Sequence, residues 1–203
     1  MISIIDYGMG NLRSVAKAVE LFTKDVQIIR DPEEIRKSSA IIIPGDGAFP
    51  AAMKNLSSGG WIEPLREHIE SDGYCLGICL GFQILFSSSE EFSYNEGLDV
   101  IKGRVVRFSD SSLKVPHMGW NRVDFKSDNK FLKGIDSGTY FYFIHSFYPV
   151  DVESSSVIAT ADYGGRFTCV AGHGNLIASQ FHPEKSHEAG LKIIKNFVEE
   201  SCR

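Results

Sequence analysis

Short runs of β-branched residues alternate with amphipathic segments through the first half of the chain, and this alternation restricts the folds that it can adopt. The apolar runs predict a buried strand over residues 1–6 and three further strands over 26–30, 40–44 and 74–78. Helical periodicity and capping residues predict a helix over 12–22, a helix start at 31–34, and, after a polar turn at 57–60, helices over 61–71 and 80–87. Strands that alternate with helices build a parallel sheet that is covered by helices on both faces.

The second half of the chain lacks this alternation. Its β-rich runs follow one another directly and predict added antiparallel strands, over residues 104–108, 122–125, 139–147, 157–163, 167–172 and 176–181. Apolar residues at helical spacing predict a closing helix over 188–200. No repeat, low-complexity tract or linker divides the sequence. We therefore predict an α/β fold, a doubly wound mixed sheet with added antiparallel strands in the second half, that forms a single domain over residues 1–203.

Charge and composition argue against several classes of function. The 203 residues carry a net charge of −5 and no Lys/Arg-rich stripe, so we expect no nucleic-acid partner. No apolar run reaches the ~18 residues of a membrane span and no basic leader opens the sequence, so we expect a cytoplasmic protein with no membrane partner. Four cysteines, two of them with C-x-x-x-C spacing at 75–79, predict free thiols and neither a metal nor a cofactor.

The strongest local motif is Gly77-Ile78-Cys79-Leu80-Gly81, which stands between an apolar strand and a helix. It has the pattern of a nucleophile elbow in which cysteine replaces serine, because the glycines permit a sharp turn that lifts the sulfur above the edge of the sheet. The amide of Leu80 would then point at the oxyanion of a tetrahedral intermediate. A buried structural cysteine in a glycine-rich turn is the alternative interpretation, since free cysteine is among the most buried residue types.

Two further motifs follow predicted strands. His182-Pro183-Glu184 ends the strand at 176–181, which would bring a base and an orienting carboxylate to the edge that carries the elbow. The glycines of residues 44–49 permit close backbone approach, and this loop could supply a second oxyanion donor. Taken alone, a histidine at a strand end is commonly a polar surface residue, and glycines are ordinary in a turn between a strand and a helix.

In this order the three motifs resemble those of the class I glutamine amidotransferases, whose glutaminases use Cys, His and Glu. The resemblance covers essentially the whole chain and is close to one branch, the glutaminase subunit of imidazole glycerol phosphate synthase. The matching segments are residues 6–12, 44–49, 77–83, 115–121, 140–146 and 179–186. The elbow and the His-Pro-Glu segment indicate the superfamily, whereas 6–12 and the Pro-His-Met-Gly-Trp-Asn motif indicate the branch.

The resemblance implies a role for each matching residue. Cys79 would be the nucleophile, His182 the base and acid, and Glu184 the carboxylate that orients the imidazole. The residues implied to contact glutamine are, with the Leu80 amide, Gly47, Gln83, His145, Ser146 and Phe147. The residues implied to face a synthase partner are Gly8, Asn11, Trp120, Asn121 and Tyr142.

The resemblance also implies a reaction and a partner. Glutamine would be hydrolysed to glutamate and ammonia through a cysteinyl thioester. Ammonia would then pass through the interior of a (β/α)8-barrel cyclase subunit, in a heterodimer that makes imidazole glycerol phosphate and AICAR for histidine biosynthesis. The length of the chain agrees with a separate acceptor protein, because the motifs are spread across it and leave nothing to bind the acceptor of ammonia.

Two residues depart from the family pattern. Asp46 stands beside the oxyanion loop, where the family usually carries a small apolar residue. A carboxylate that pointed into the site would repel the developing negative charge, so we expect its side chain to face elsewhere and its amide to serve the site. Phe82 replaces the usual methionine in the elbow helix, a change of packing that we expect to be neutral.

Three alternative functions stay open at this point. A cysteine peptidase or deglycase would share the elbow, although its base commonly follows the nucleophile directly, where Leu80 stands here. A nucleotide-binding module would need Gly or Ala at the position of Arg13 to complete a fingerprint that begins at Gly8. A paralogous glutaminase would supply ammonia to a different synthase, for example one that amidates surface sugars.

Overall fold

The computed structural model describes residues 1–126 and 128–202. Its strands β1 to β13 span Ile2–Ile5, Val26–Ile29, Ala40–Ile43, Tyr74–Ile78, Phe86–Ser89, Asn95–Glu96, Ile101–Arg107, His117–Phe125, Thr139–His145, Phe147–Val150, Val157–Asp162, Arg166–His173 and Leu176–Ser179. Its helices α1 to α5 span Leu12–Glu20, Phe49–Ser58, Ile62–Glu70, Leu80–Gln83 and His187–Ser201. Short 3₁₀ helices occupy Pro32–Lys37, Lys130–Leu132 and Pro183–Lys185, and Asp31 caps the first of these, as its sequence predicts.

A nine-stranded sheet runs through the molecule in the order β2-β1-β3-β4-β13-β12-β11-β8-β9. The strands from β2 to β13 are parallel, and the pairs beyond β13 are antiparallel. The predicted doubly wound mixed sheet is therefore confirmed. One strand was wrongly predicted: β13 is antiparallel to β12 but parallel to β4, so it joins the two halves of the sheet.

Helices cover both faces of this sheet because its central strands are apolar on both sides. Ile4 of β1 and Ile42 of β3 belong to the core beneath α1 and α5. Their neighbours Ile5 and Ile43 belong to a second core, beneath α2 and α3. Successive side chains of a strand point to opposite faces of the sheet. A strand that is buried on both faces therefore has an uninterrupted run of apolar residues.

The segment before the predicted polar turn is helical, which the sequence analysis missed. Helix α2 spans Phe49–Ser58, so the chain turns at Gly59 and the predicted turn at 57–60 begins too early. Phe49, Ala52 and Leu56 of this helix are buried at helical spacing. That periodicity is present in the sequence, but the serines that end the helix have the composition of a loop.

The helix predicted over residues 80–87 is also wrong in its length. Helix α4 ends at Gln83, and Phe86–Ser89 form β5. Strand β5 belongs to a separate four-stranded sheet in the order β10-β7-β5-β6. The backbone leaves the helix because the carbonyls of Ile84 and Leu85 accept hydrogen bonds from the residues that lead into β7.

The predicted strand over residues 139–147 is divided between the two sheets. His145 at the end of β9 pairs with His117 in the large sheet, whereas Phe147 at the start of β10 pairs with Arg107 in the small sheet. The chain therefore crosses from one sheet to the other at Ser146. This crossing lies beside the elbow, because the carbonyl of Ile144 is 3.9 Å from Sγ of Cys79.

Two further sequence predictions bear on the described residues. Within residues 1–126 and 128–202, no helix is long and apolar enough to cross a membrane. The four cysteines are free thiols, as predicted, with Cys75, Cys79 and Cys169 buried and Cys202 exposed.

Candidate active site

Cys79 occupies the sharp turn that the sequence predicts between β4 and α4. Its backbone has φ 54° and ψ −101°, a region that side chains other than glycine rarely enter. Such a conformation costs about 1–3 kcal/mol and persists only where the surrounding structure holds it. Here the Cys79 amide donates to the Ser179 carbonyl at 2.8 Å, which fastens the turn to the end of β13.

The two glycines of the elbow are required by close packing. A Cβ atom on Gly77 would lie 2.8 Å from Cβ of Ala178 on β13. A Cβ atom on Gly81 would overlap the backbone carbonyl of Ile43 at the end of β3. The elbow therefore packs against both neighbouring strands, and neither position has room for a side chain.

His182 and Glu184 form a buried pair after β13. Nδ1 of His182 and Oε1 of Glu184 are 2.9 Å apart, and their side chains are only 7% and 2% exposed. The segment is held to β9, because the His182 amide donates to the Tyr142 carbonyl and the Ser186 hydroxyl accepts from the Tyr142 amide. The carboxylate thus fixes which nitrogen of the imidazole faces away from it, and that nitrogen is Nε2.

The Nε2 atom of His182 is buried, and the described residues offer it no hydrogen-bond partner. Burial lowers the pKa of His182, but its interactions with Cys79 and Glu184 raise it by more, so the net pKa lies above the ordinary value. A buried imidazole with one nitrogen held and the other unpaired, next to a thiol, is suited to proton transfer.

A cavity of about 380 Å³ brings most of the predicted site residues together. Among the predicted residues, its lining includes Cys79, His182, Gly47, Leu80, Gln83, His145, Ser146 and Phe147. Glu184 is not part of the lining and lies behind His182. The cysteine and the histidine, which are far apart in the sequence, therefore meet in one cavity at the same edge of the sheet.

The amide of Gln83 has a defined orientation in this cavity. Its Nε2 donates to the Phe147 carbonyl at 2.9 Å and to Oε1 of Gln180 at 3.1 Å. Both acceptors lack a hydrogen to donate, so the nitrogen cannot exchange places with the oxygen. The described residues supply no donor to Oε1 of Gln83, which leaves this oxygen available to a ligand.

The Leu80 amide, which is predicted from the sequence to bind an oxyanion, already donates a hydrogen bond within the protein. It donates to the Gly45 carbonyl at 3.3 Å. The space on the inner side of Gly45 is already filled, because a Cβ atom there would lie 2.7 Å from the Tyr7 hydroxyl and 2.8 Å from Cβ of Leu80. The Gly45 carbonyl must turn away before the Leu80 amide can bind anything else.

Asp46 directs its carboxylate to the neighbouring loop. Its Oδ1 accepts a hydrogen bond from the Gly10 amide at 3.1 Å, and the residue is exposed although it borders the cavity. The side chain thus connects the loop after β3 to the loop after β1. Phe82, the other departure from the family pattern, is fully buried and packs edge-on against Phe86 at 5.0 Å.

Glu91 borders the cavity, and the sequence analysis missed it. Its Oε2 accepts a hydrogen bond from the Phe49 amide at 2.7 Å, at the start of α2. The residue lies in a polar segment rich in serine and glutamate, where nothing distinguishes it from a surface acid. Only the second sheet, which the sequence analysis did not predict, brings this segment to the cavity.

The predicted partner-facing residues lie at two places in the fold, and Asn121 points to the opposite face of the sheet from Trp120 and Tyr142. Gly8 and Asn11 follow β1, where Asn11 caps α1 by accepting a hydrogen bond from the Ser14 amide at 3.1 Å. Trp120, Asn121 and Tyr142 lie on the paired strands β8 and β9. The Trp120 ring is 45% exposed and stacks on His187 at 4.9 Å, so this tryptophan does not belong to the core.

A larger and shallower cleft of about 770 Å³ is lined by residues from the ranges 125–126 and 128–137. Its described lining contains no cysteine and no histidine, so its size does not make it the reactive site. In the described ranges, no cluster of three or more His, Cys, Asp or Glu residues is arranged to hold a metal ion.

Comparison with known proteins agrees with the geometry. The family model described as "Glutamine amidotransferase class-I" matches residues 3–201. The chain therefore belongs to the class I glutamine amidotransferases.

Similar curated proteins specify a branch of that family. The chain is 48% identical over 203 residues to the imidazole glycerol phosphate synthase subunit HisH of Syntrophotalea carbinolica, with 97% of this chain and 98% of that protein covered. It is 50% identical over 200 residues to the HisH subunit of Methanosarcina acetivorans, with 98% of each covered. The chain is thus a member of the HisH branch, the glutaminase subunits of imidazole glycerol phosphate synthase.

Solved structures share the fold at much lower identity. A crystal structure of a glutamine amidotransferase superimposes with a TM-score of 0.77 at 18% identity and covers 100% of this chain and 99% of its own. The structure of PurLQS from Thermotoga maritima gives a TM-score of 0.77 at 16% identity, with 98% and 97% covered.

The packing of the elbow predicts a large effect of Gly81→Ala. The added methyl would overlap the Ile43 carbonyl, which belongs to the sheet and cannot move aside, so we expect a loss of about 3 kcal/mol or more in the free energy of unfolding. Gly60→Ala is the matched control, because its φ of 73° is positive but the nearest atom is 3.9 Å away. It should lose about 1–2 kcal/mol. Equal losses in urea denaturation would contradict the packing argument.

Proposed function

We propose that Cys79, His182 and Glu184 hydrolyse glutamine, and that the ammonia is delivered to a (β/α)8-barrel cyclase subunit that makes imidazole glycerol phosphate and AICAR. One observation carries the proposal. The thiol on the elbow and the imidazole held by Glu184 open into one cavity. We infer the substrate, glutamine, from membership of the family, and we infer the reaction that consumes the ammonia from the HisH relatives.

The reaction begins when the Cys79 sulfur attacks the side-chain carbonyl carbon of glutamine. The new C–S bond moves an electron pair to the carbonyl oxygen, and His182 takes up the thiol proton. His182 then gives that proton to the amide nitrogen, the C–N bond breaks, and ammonia leaves a glutamyl thioester. Water attacks the thioester with His182 as base, the C–S bond breaks, and the thiol and glutamate are released.

Glu184 would act through His182. Its carboxylate accepts from Nδ1, keeps Nε2 directed away, and stabilises the imidazolium that forms during proton transfer. The buried and unpaired Nε2 supports this role, because it has room for a proton from the thiol and no competing partner in the described residues.

The amino-acid end of glutamine would lie near Gln83 and Glu91. Oε1 of Gln83 is the free end of a fixed amide and would accept an N–H from the substrate. Glu91 supplies a negative charge on the cavity wall, which suits the α-ammonium group. Gly47 and the crossing at His145, Ser146 and Phe147 would enclose the rest of the amino acid.

The exposed apolar residues of β8 and β9 support a protein partner on this face. Met118, Trp120 and Tyr140 are 58%, 45% and 57% exposed. The register of the two strands gives these residues and Tyr142 one common face, and Ile144 continues that face to the cavity wall. Aromatic residues with exposed apolar surface are typical anchors of an interface. The cyclase would cover this surface and receive ammonia from the cavity, in the cytoplasm.

A synthase with a different acceptor is the second candidate partner, since the same glutaminase site would serve it. The relatives named above favour the histidine-pathway cyclase. A peptidase or deglycase is disfavoured by the family assignment. The identity of the protein that co-purifies with the tagged chain distinguishes the two synthases.

The proposal predicts that Cys79→Ala removes glutamine hydrolysis and leaves the fold intact. Without the sulfur no thioester forms, so turnover should fall by a factor of about 10⁴ or more. Cys75→Ala is the matched control on β4, which leads into the elbow, because burial raises the pKa of the Cys75 thiol and keeps it protonated. For both variants, turnover is measured as the release of glutamate, and folding is checked separately by circular dichroism. Retained turnover in a folded Cys79→Ala protein would refute the assignment.

The engaged Leu80 amide predicts that the isolated chain hydrolyses glutamine slowly. The cyclase and its ligand should raise turnover by a factor of about 10² or more, the usual contribution of one oxyanion donor. Glutamate release is measured with and without the cyclase, and the Cys79→Ala chain with cyclase is the control. Equal turnover in the isolated chain and in the complex would show that the amide is not limiting.

The contact between Asp46 and Gly10 predicts that Asp46→Val raises glutamine turnover of the isolated chain. The substitution removes both a negative charge near the oxyanion and the link between the two loops. At an exposed site such a charge contributes about 1 kcal/mol, so the rise is about five-fold. Asp46→Asn removes the charge and retains an acceptor. A loss of more than about 2 kcal/mol in unfolding free energy would instead make the carboxylate structural.

A further inference from the structure

A continuous set of hydrogen bonds runs from β8 toward the crossing between the sheets. Nδ2 of Asn121 lies 3.2 Å from Nε2 of His117. Nδ1 of His117 lies 2.9 Å from Nε2 of His145. Nδ1 of His145 lies 2.8 Å from the Phe147 carbonyl oxygen. His117 stands at the centre of this set and is not among the site residues that the sequence predicts.

Both imidazoles in this set are neutral at ordinary pH. Burial lowers the pKa of His117 to about 4. Burial, with smaller contributions from the neighbouring histidines, lowers the pKa of His145 to about 3, although the Phe147 carbonyl opposes the shift. A neutral imidazole has one donor and one acceptor, so each ring must adopt a single tautomer.

The direction of every bond then follows from its two ends. The Phe147 carbonyl can only accept, so His145 carries its proton on Nδ1 and accepts at Nε2. His117 must therefore donate from Nδ1 and accept at Nε2. Asn121 donates to that Nε2, and this orientation is independently required. Its Oδ1 accepts from the Arg122 amide at 2.8 Å and its Nδ2 also donates to the Asp162 carbonyl at 2.8 Å.

The same carbonyl connects this set to the reactive sulfur. Phe147 oxygen also accepts from Nε2 of Gln83, whose second hydrogen goes to Oε1 of Gln180. Nε2 of Gln180 lies 3.9 Å from Sγ of Cys79. The side chains of Asn121, His117, His145, Gln83 and Gln180, with the Phe147 carbonyl, form what we call the amide–imidazole network. It joins a partner-facing strand to the elbow.

The His117 ring is held on both faces. It stacks on Tyr163 with centroids 4.0 Å apart and on Phe143 with centroids 4.9 Å apart. The residue is only 4% exposed. The stacking therefore fixes the plane of the ring, and the hydrogen bonds of its two nitrogens select one of the two orientations that a 180° turn within that plane would interchange.

We propose that His117 is a positioning residue for glutamine hydrolysis. It holds His145 in the tautomer that donates to the Phe147 carbonyl, and that carbonyl orients the Gln83 amide toward the substrate. Asn121 follows Trp120 on β8 and points to the opposite face of the sheet, so the network begins on the strand that carries the partner-facing residues. This inference rests on the proposed function, since it deepens the role of the cavity in which Gln83 would bind glutamine.

The first test is on the tautomers of the unmodified full chain. Histidine labelled with ¹⁵N distinguishes a bare ring nitrogen from a protonated one by its long-range couplings. We expect His117 and His145 both to carry hydrogen on Nδ1 and none on Nε2. Hydrogen on Nε2 of either ring at neutral pH would overturn the proposal, whether or not the chain hydrolyses glutamine.

The second test compares His117→Phe with His117→Asn in the complex with the cyclase. Phe retains the stacked ring but has no donor for His145, whereas the Asn amide places a donor near the position of Nδ1. We expect His117→Phe to lower kcat/KM for glutamine about ten-fold, chiefly through KM, because the network orients the group that binds substrate. His117→Asn should recover kcat/KM to within about three-fold of the wild type.

Tyr163→Phe is the control, since it retains the stacking contact and removes only the hydroxyl that donates to Lys114. It should leave kcat and KM unchanged. A merely structural His117 would lower the thermal stability of both His117 variants with KM unchanged, and this result would overturn the proposal. If the wild-type complex does not hydrolyse glutamine, the proposed function fails, and the tautomers alone decide the fate of the network.

Discussion

The parallel pairing of β13 with β4 is the contact on which the candidate site depends. It aligns Ser179 with Ile78, so the residues that follow the two strands emerge at one edge of the sheet. The Cys79 amide is bonded directly to the Ser179 carbonyl, which ties the strained elbow to the strand that leads to His182. One ladder of backbone hydrogen bonds, between β13 and β4, therefore brings together a cysteine and a histidine that are far apart in the sequence.

The parts of the site differ in how ready they are for chemistry. The imidazole and carboxylate are already paired, buried and held to β9. The Leu80 amide is still bonded to the Gly45 carbonyl. Rotation of one peptide group, the one that carries the Gly45 carbonyl, would therefore free the Leu80 amide as an oxyanion donor. The loops that could rotate this group lie on the side that is expected to meet the partner.

Much of the fold could be predicted from the sequence because its first half is determined locally. The four parallel strands and the elbow have short-range patterns, and β4 was predicted with its observed ends. Helix α2 and strand β5 were missed because the serine-rich segments resemble loops and because the partners of β5 lie in a sheet that only tertiary contacts assemble. Glu91 was missed for the same reason. The candidate cysteine, histidine and glutamate could be predicted from the sequence because glycine and proline mark the turns that carry them. The tautomers of His117 and His145 depend on contacts between four segments, which no local pattern contains.

The crossing at Ser146 has a consequence for how this protein can vary in length. One residue separates a strand of the large sheet from a strand of the small sheet, and side chains alternate in direction along each. A single inserted or deleted residue here would reverse the facing of either His145 or Phe147. Residues 109–112 are exposed and lie outside both sheets, so they have no such restriction. Related sequences can therefore differ in length at residues 109–112, whereas the crossing from His145 through Ser146 to Phe147 must keep its three residues.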